Sequence, residues 1–424
     1  MTFVILPLVL ILAVLLIINV PIYLAILTAA IYLQVFVNHV ALSAVFVGLY
    51  ESLTKPSMLA IPFFILTGAL IESSTMGKRL IDIFISLLKN VRAGLPISCL
   101  LANAVFGAIS GSAPAAAATF GKVINEPLEK AHGEKLSLGL ITSSGALSTI
   151  IPPSIIMIIY GVATDTNVAT LFQAGFIPGL VIVAIISVYL FVRYKRSNLA
   201  GGKTDFAEVG RSFIRGLPVI VLPVLILGGI YAGVFTPTEA GAIAAVYSFV
   251  IGVFVLKDIK WSETIPILMN ASRITGQIFL LISASIVFAQ AATMAQIPQL
   301  IVEGFSGLGP IMFLVILNVL LLIVGCFFEP GAAILILAPL LLPTARVLGI
   351  DTLHLGIVFA VNLSIGMFTP PFGLNIFVVQ SILKKPMARI SSSVMPYVAL
   401  YVIGLLILTY IPELSLWLPR LLGQ

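Results

Sequence analysis

Residues 94–161 form an almost wholly apolar stretch that is interrupted twice by residues unable to continue a helix. The first interruption is Ser110-Gly111-Ser112-Ala113-Pro114, after which an apolar return runs to Ala131. The second holds Gly145 and Ser148 and then Ile151-Pro152-Pro153-Ser154. Irregular backbone is excluded from contact with lipid, because no water is there to satisfy its N–H and C=O groups. It persists only where protein buries it or where it lines a cavity. Paired broken helices at mid-membrane depth mark the binding sites of secondary transporters. The remainder of the chain is therefore expected to hold and move this stretch.

The argument needs the stretch to lie in a membrane, and composition places it there. The chain is 60% hydrophobic and 9% charged, whereas soluble domains carry roughly a quarter charged residues. Its 424 residues leave room for about ten spans of ~20–25 residues with short loops. The longest polar stretch, residues 193–215, is too short for a soluble domain. The net charge of +6 comes from basic residues beside apolar segments, which are topology determinants and imply no nucleic acid partner. Cys99 and Cys326 both lie inside apolar segments, so neither a disulfide nor a metal site is expected. Residues 2–18 lack a basic n-region and a small-residue cleavage site and read as a retained span.

Taken in order, spans are expected at residues 2–18, 22–37 and 57–74, with an interfacial helix at 41–55. Lys78, Asp82, Ser86 and Lys89 put one polar stripe on a second interfacial helix, residues 77–92. A re-entrant hairpin (94–131), a broken span (136–164) and a further crossing (168–192) complete the first half. The second half repeats this order. Spans fall at 217–234, 239–256 and 275–293, with an interfacial segment at 261–273. A second hairpin (309–347) breaks around Glu329-Pro330-Gly331, a second broken span (353–383) holds Gly366 and Thr369-Pro370-Pro371, and 394–411 closes the chain. Adding 218 carries Thr75-Met76 onto Thr293-Met294, Gly107 onto Gly325, Ala115 onto Ala333 and Pro152-Pro153 onto Pro370-Pro371.

Each half has five crossings, an odd number, so the second copy must be inverted. With the N-terminus outside, 19 of the 22 Lys and Arg fall inside and only Lys55, Arg346 and Arg420 outside (22 − 3 = 19). That split satisfies the positive-inside rule with both termini outside. The fold class expected is an all-α polytopic membrane protein of two inverted repeats, with about ten transmembrane helices, two re-entrant hairpins and two broken helices. The organisation expected is a scaffold with an arm helix (1–75), hairpin and broken helix (76–165), connecting span and second scaffold unit (166–294), second hairpin and broken helix (295–383), and a last span (384–424).

At residues 107–127, 148–154, 329–343 and 369–373 the sequence resembles the large membrane subunit of TRAP (tripartite ATP-independent periplasmic) transporters. The resemblance covers nearly the whole chain. It implies a sodium-coupled elevator of the bacterial inner membrane, in which a mobile domain of two hairpins and two broken helices slides against a scaffold. It also implies two partners, a small four-span membrane subunit and a soluble periplasmic protein that delivers an organic acid. With no span before Met1, the small subunit is expected as a separate chain. The sialic acid members are the nearest likeness, beside the dicarboxylate members.

Sodium wants several oxygen ligands, and helix breaks expose unpaired carbonyls. The first cluster offers Ser110, Gly111, Ser112, Gly145, Ser148, Ile151 and Pro152. The second offers Glu329, Pro330, Gly331, Gly366, Met367, Thr369 and Pro370. Small residues and prolines equally serve close packing or kinks, but two equivalent breaks, each paired with a hairpin turn, favour ion sites. An acidic substrate should prefer the half-helix N-termini near Ala113 and Gly331. Asn103, Thr119, Ser143, Ser144, Asn362, Ser364 and Asn375 are polar groups at depths where they can contact substrate or bond between helices. Glu329 is an acid deep in the membrane, a functional group or a helix cap.

An enzyme is not expected. His39, His132 and His354 fall near membrane surfaces and form no His-Glu-x-x-His pair, and no phosphate-binding Gly-x-x-x-x-Gly-Lys loop is present. No cofactor is called for beyond sodium as coupling ion. Two other readings stay open, a stand-alone ion-coupled carboxylate carrier and, more remotely, an intramembrane enzyme.

Overall fold

The computed structural model describes residues 2–194, 205–305 and 307–423. Of the basic stretch 193–215, residues 195–204 lie outside the described part. The described residues form helices and connecting turns, with no strand among them. The first half holds α1 (Thr2–Ile17), α2 (Ile22–Ile31), α3 (Leu42–Leu53), α4 (Ala60–Glu72), α5 (Met76–Leu88), α6 (Gly94–Ser110), α7 (Ala113–His132), α8 (Glu134–Ser144), α9 (Ile155–Thr164) and α10 (Val168–Tyr194). The second holds α11 (Phe206–Tyr231), α12 (Pro237–Val250), α13 (Trp261–Met294), α14 (Ile297–Phe305), α15 (Gly309–Phe327), α16 (Pro330–Val347), α17 (Thr352–Gly366), α18 (Leu374–Leu383), α19 (Met387–Tyr410) and α20 (Glu413–Leu421).

The offset of 218 recurs in local geometry. Both halves widen into a π-helical turn, Tyr32–Val37 and Ile251–Val255, which end at equivalent residues, 37 + 218 = 255. His39 and Lys257 then carry positive φ of 54° and 56°, with 39 + 218 = 257. One residue on, Val40 N–H donates to Gln34 C=O at 2.8 Å and Asp258 N–H to Gly252 C=O at 3.0 Å. Pro152-Pro153 and Pro370-Pro371 are both cis.

Seven helices among the described residues are long and apolar enough to cross a membrane, or eight if the bent pair of α3 and α4 is one span. The sequence count of about ten is higher because it takes broken segments whole and includes the shorter apolar helices Leu6–Leu15 and Ile22–Val37. The pieces Gly94–Ser110, Ile155–Thr164, Thr352–Gly366 and Leu374–Leu383 are apolar but no longer than 17 residues. At 1.5 Å per residue such pieces fall short of a ~30 Å hydrocarbon core.

Three expectations need correction. The interfacial segment 261–273 and the span 275–293 are one continuous 34-residue helix, α13. In the first half the equivalent join bends by 59° between Leu42–Leu53 and Pro56–Glu72. There Pro56 fixes φ and removes a donor, whereas Ser272-Arg273-Ile274 offers no breaker. The chain also does not close at 411: Pro412 stops α19 and starts the short helix α20. The polar stripe on α5 loses Ser86, which is buried and donates to the Ile83 carbonyl at 2.7 Å.

The main core surrounds the hairpins and broken helices, with Phe106, Phe120, Tyr160, Phe359, Phe368 and Tyr401 fully buried. Tyr401 Oη donates to the Ser143 carbonyl at 2.9 Å, so α19 holds the end of α8. A second, smaller cluster joins α2 and α3 to α13 through Ile26, Ala29, Val45, Val287 and Phe288. Helix α16 is 61% buried, against 33–39% for the other six candidate spans. Its hairpin partner α15 is 33% buried, so within this hairpin α16 is the arm enclosed by protein.

Candidate functional site

Hairpin 1 turns at Gly111, whose φ of 58° is the left-handed conformation that ends α6. Glycine reaches it without a Cβ clash. Ser112 then caps α7, its Oγ accepting from the Ala115 N–H at 3.4 Å. Hairpin 2 solves the equivalent turn with a carboxylate. Glu329 has φ −63° and accepts from the Ala332 N–H at 3.0 Å, with Pro330 following in the first turn of α16. Glu329 is thus a helix cap, one of the two roles its sequence position offered.

Behind each turn a helix breaks. The end of α8 tightens into a 3₁₀ turn, Gly145–Thr149, in which the Ser148 hydroxyl donates to the Gly145 carbonyl. Thr149 donates to the Ala146 carbonyl and Ser154 to the Thr149 carbonyl, both at 2.8 Å. After α17, Thr369 donates through Oγ1 to the Ile365 carbonyl at 2.6 Å and through N–H to the Gly366 carbonyl at 3.2 Å. The Met367 carbonyl accepts from the Asn375 N–H at 2.8 Å.

Hairpin and break approach each other through glycine. A Cβ on Gly107 would stand 2.6 Å from Ser148 Cα, and one on Gly366 would stand 2.3 Å from the Gly325 carbonyl. These are the same crossing in the two halves, since 107 + 218 = 325 and 148 + 218 = 366. Gly145 in turn sits against hairpin 1, where its Cβ would lie 2.9 Å from the Ala113 carbonyl oxygen.

The two tips meet at one cavity of about 200 Å³. Ser110, Gly111 and Ser112 of the first tip, Glu329 of the second and Met367 of the second break line it. Its opposite wall is Gly68, Ala69 and Glu72 from α4 and Asn270, Ile274 and Ile278 from α13. Gly145, Ser148, Ile151, Pro152, Pro330, Gly331, Gly366, Thr369 and Pro370 stand outside this lining. All are buried except Thr369 and Pro370, which are half-buried.

The seven polar residues considered for substrate are all buried and none lines the cavity. Asn103 donates to the Cys99 carbonyl at 3.1 Å, and Asn375 to the Thr142 carbonyl at 3.1 Å. Asn362 donates to Val358 C=O and Asn318 Oδ1, both at 2.8 Å. Ser143 and Ser364 bond to carbonyls of their own helices, at 2.8 and 3.1 Å. Yet Oδ1 of Asn103, Asn362 and Asn375, and Oγ of Thr119 and Ser144, have no partner in the protein. Such orphans call for water or a ligand. Glu72 and Asn270 line the cavity without having been singled out from the sequence. One ends an apolar span and the other falls in a segment read as interfacial, and only the fold brings them to the tips.

A family model described as the DctM component of the tripartite ATP-independent periplasmic transporter matches residues 9–414. The chain belongs to this family of TRAP transporter permeases. Its TRAP relatives include the C4-dicarboxylate TRAP transporter large permease protein DctM of Pseudomonas aeruginosa, 40% identical over 89% of this chain and 90% of that protein. The protein of that name from Rhodobacter capsulatus is 36% identical over 91% of this chain and 92% of its own length. The isethionate TRAP transporter permease protein DctMQ of Oleidesulfovibrio alaskensis is 32% identical over 96% of this chain and 65% of that longer protein. A crystal structure of the Alcanivorax borkumensis YdaH transporter matches 90% of this chain and 89% of its own, with a TM-score of 0.58 at 14% identity. That likeness shows a shared fold. The chain is accordingly a multi-pass membrane permease and not an enzyme, and TRAP membership implies the inner membrane, a small membrane subunit and a periplasmic binding protein.

Proposed function

We propose that this permease imports a small organic acid by sodium-coupled elevator motion, the hairpin tips carrying substrate past a wall built from α4 and α13. The observation that carries the reading is the shared cavity, which joins both tips to residues of the two scaffold helices. Its lining includes two carboxylates, Glu72 and Glu329, and no Lys or Arg. Like charges about 4 Å apart repel by about 4 kcal/mol at an effective dielectric of 20. An incoming carboxylate therefore needs cations held nearby. The backbone oxygens and hydroxyls of Ser110, Ser112, Gly145, Ser148, Gly366 and Thr369 suit a hard monovalent cation.

Three relatives at 36–40% identity are named for C4-dicarboxylates, which favours a four-carbon dicarboxylate over sialic acid here. Another, from Ruegeria pomeroyi, is 33% identical and is named for ectoine and 5-hydroxyectoine. Radiolabelled succinate and sialic acid, each offered with its cognate binding protein to proteoliposomes holding both membrane subunits, separate the two. Sodium-dependent accumulation of succinate alone is the expected outcome, and accumulation of sialic acid alone would reverse the substrate assignment.

A further inference from the structure

The side on which Lys and Arg concentrate carries a cleft separate from the cavity at the hairpin tips. It is a cavity of about 670 Å³ between α5 and the first turns of α11, closed at one end by Asp258. The helices touch where Gly216 meets Ile83, a Cβ there lying 2.2 Å from Ile83 Cδ1. Lys78 and Arg79 face the cleft from α5, and Arg211 and Arg215 from α11. Three acids also line it, and one of them, Glu208, is offset by a cation outside the lining. Glu208 pairs with Lys89 at 2.8 Å, and Asp258 accepts from Thr75 through N–H at 3.0 Å and through Oγ1. Asp82 lies beside Lys78, Arg215 and Arg79.

We propose that this cleft binds the phosphate headgroup of an anionic phospholipid. Four cations against Asp82 and Asp258, with Glu208 offset by Lys89, leave the pocket net positive by two charges (4 − 2 = 2), and Ser212 adds a hydroxyl. Guanidinium groups at i and i+4, as at Arg211 and Arg215, offer forked donors to a single phosphate. The lipid source follows from the neighbours. On the same helix, Ile214 and Leu217 are exposed beyond the arginines, and so is Phe213. Acyl chains can lie along these side chains while the headgroup enters the cleft, which a free phosphate cannot exploit. Helix α5 is amphipathic, with Leu80, Ile81 and Ile83 buried and Lys78 and Asp82 exposed, as suits a helix at headgroup depth. The bound headgroup ties α5 to α11.

The test is lipid retention by the purified transporter in nanodiscs of equal phosphatidylglycerol and phosphatidylcholine, read by native mass spectrometry. Wild type should retain phosphatidylglycerol in preference. Arg211→Gln and Arg215→Gln should each weaken retention about fivefold, as expected for one charge near an anionic surface. Arg211→Lys combined with Arg215→Lys, which keeps the charge and loses the forked donors, should restore part of it. If the glutamine variants do not fold, Lys78→Gln, at an exposed side chain, carries the same test. Equal retention of the two lipids by wild type, or unchanged retention in the variants, would overturn the proposal. Displacement by millimolar inorganic phosphate would overturn the lipid assignment in favour of a free anion.

Discussion

At Gly366 a methyl group would stand 2.3 Å from the Gly325 carbonyl carbon and oxygen, a distance no packing rearrangement of side chains relieves. Gly366→Ala should therefore cost about 1–3 kcal/mol through backbone displacement and abolish uptake. Gly228 of α11 has no heavy atom within 4 Å of its Cβ position. Gly228→Ala should leave uptake intact and raise the melting temperature slightly, since alanine is the better helix former by about 1 kcal/mol. Thermal melts and uptake by the two variants check the contrast. At Glu329 the carboxylate caps α16, so Glu329→Ala should lose about 1 kcal/mol. Glu329→Gln keeps an acceptor for Ala332 N–H and should transport more weakly with sodium dependence retained. Uptake by that variant that loses its pH dependence, with no need for sodium in wild type, would instead make Glu329 a proton carrier.

Among elements, the hairpins and breaks were legible because Gly and Pro are strong punctuation in an otherwise apolar chain. Ser110-Gly111-Ser112, Glu329-Pro330 and both Pro-Pro pairs lie at element boundaries. The continuity of α13 was not legible, because polarity falls at Asn270-Ala271-Ser272-Arg273 without any residue that stops a helix. Glu72 and Asn270 stayed hidden for a different reason, that a cavity between elements distant in sequence leaves no local pattern. Across the two halves, Lys385 in the turn between α18 and α19 bonds Glu129 at 3.0 Å and Glu134 at 2.7 Å, at the turn between α7 and α8. The Lys385 hydrogen bond holds the Glu134 carboxyl below its ordinary range, and Glu134 and then Glu129 hold the Lys385 ammonium above its own. The contribution of Glu134 is complete above a carboxylate pKa of about 4.3 and fades as pH falls through the lowered value. That of Lys385 is complete below about 10.4 and fades only through its raised value. Lys385→Met should thus lower the melting temperature by a constant amount between pH 6 and 9, and the gap should close in acid. A gap that persists undiminished under acid would remove the bridge as its cause.

For the whole molecule, charge and fold make a joint claim about orientation. By the positive-inside rule, the 19-to-3 split of Lys and Arg predicts the turn between α7 and α8 inside and the end of α20 outside. Cysteine at Lys130 should be shielded from membrane-impermeant reagents in intact cells, and cysteine at Gly423 should label. The reverse pattern would overturn the inverted arrangement of the two halves. Partner dependence belongs to this scale too, because tripartite membership assigns delivery to a binding protein outside this chain. The central claim, that the two hairpin tips couple sodium to acid uptake, is tested most directly by ion replacement. Proteoliposomes with this chain, its small subunit and the binding protein should accumulate succinate down a sodium gradient and fail to do so when potassium replaces sodium. Equal accumulation on potassium, or full uptake by this chain alone, would contradict the account.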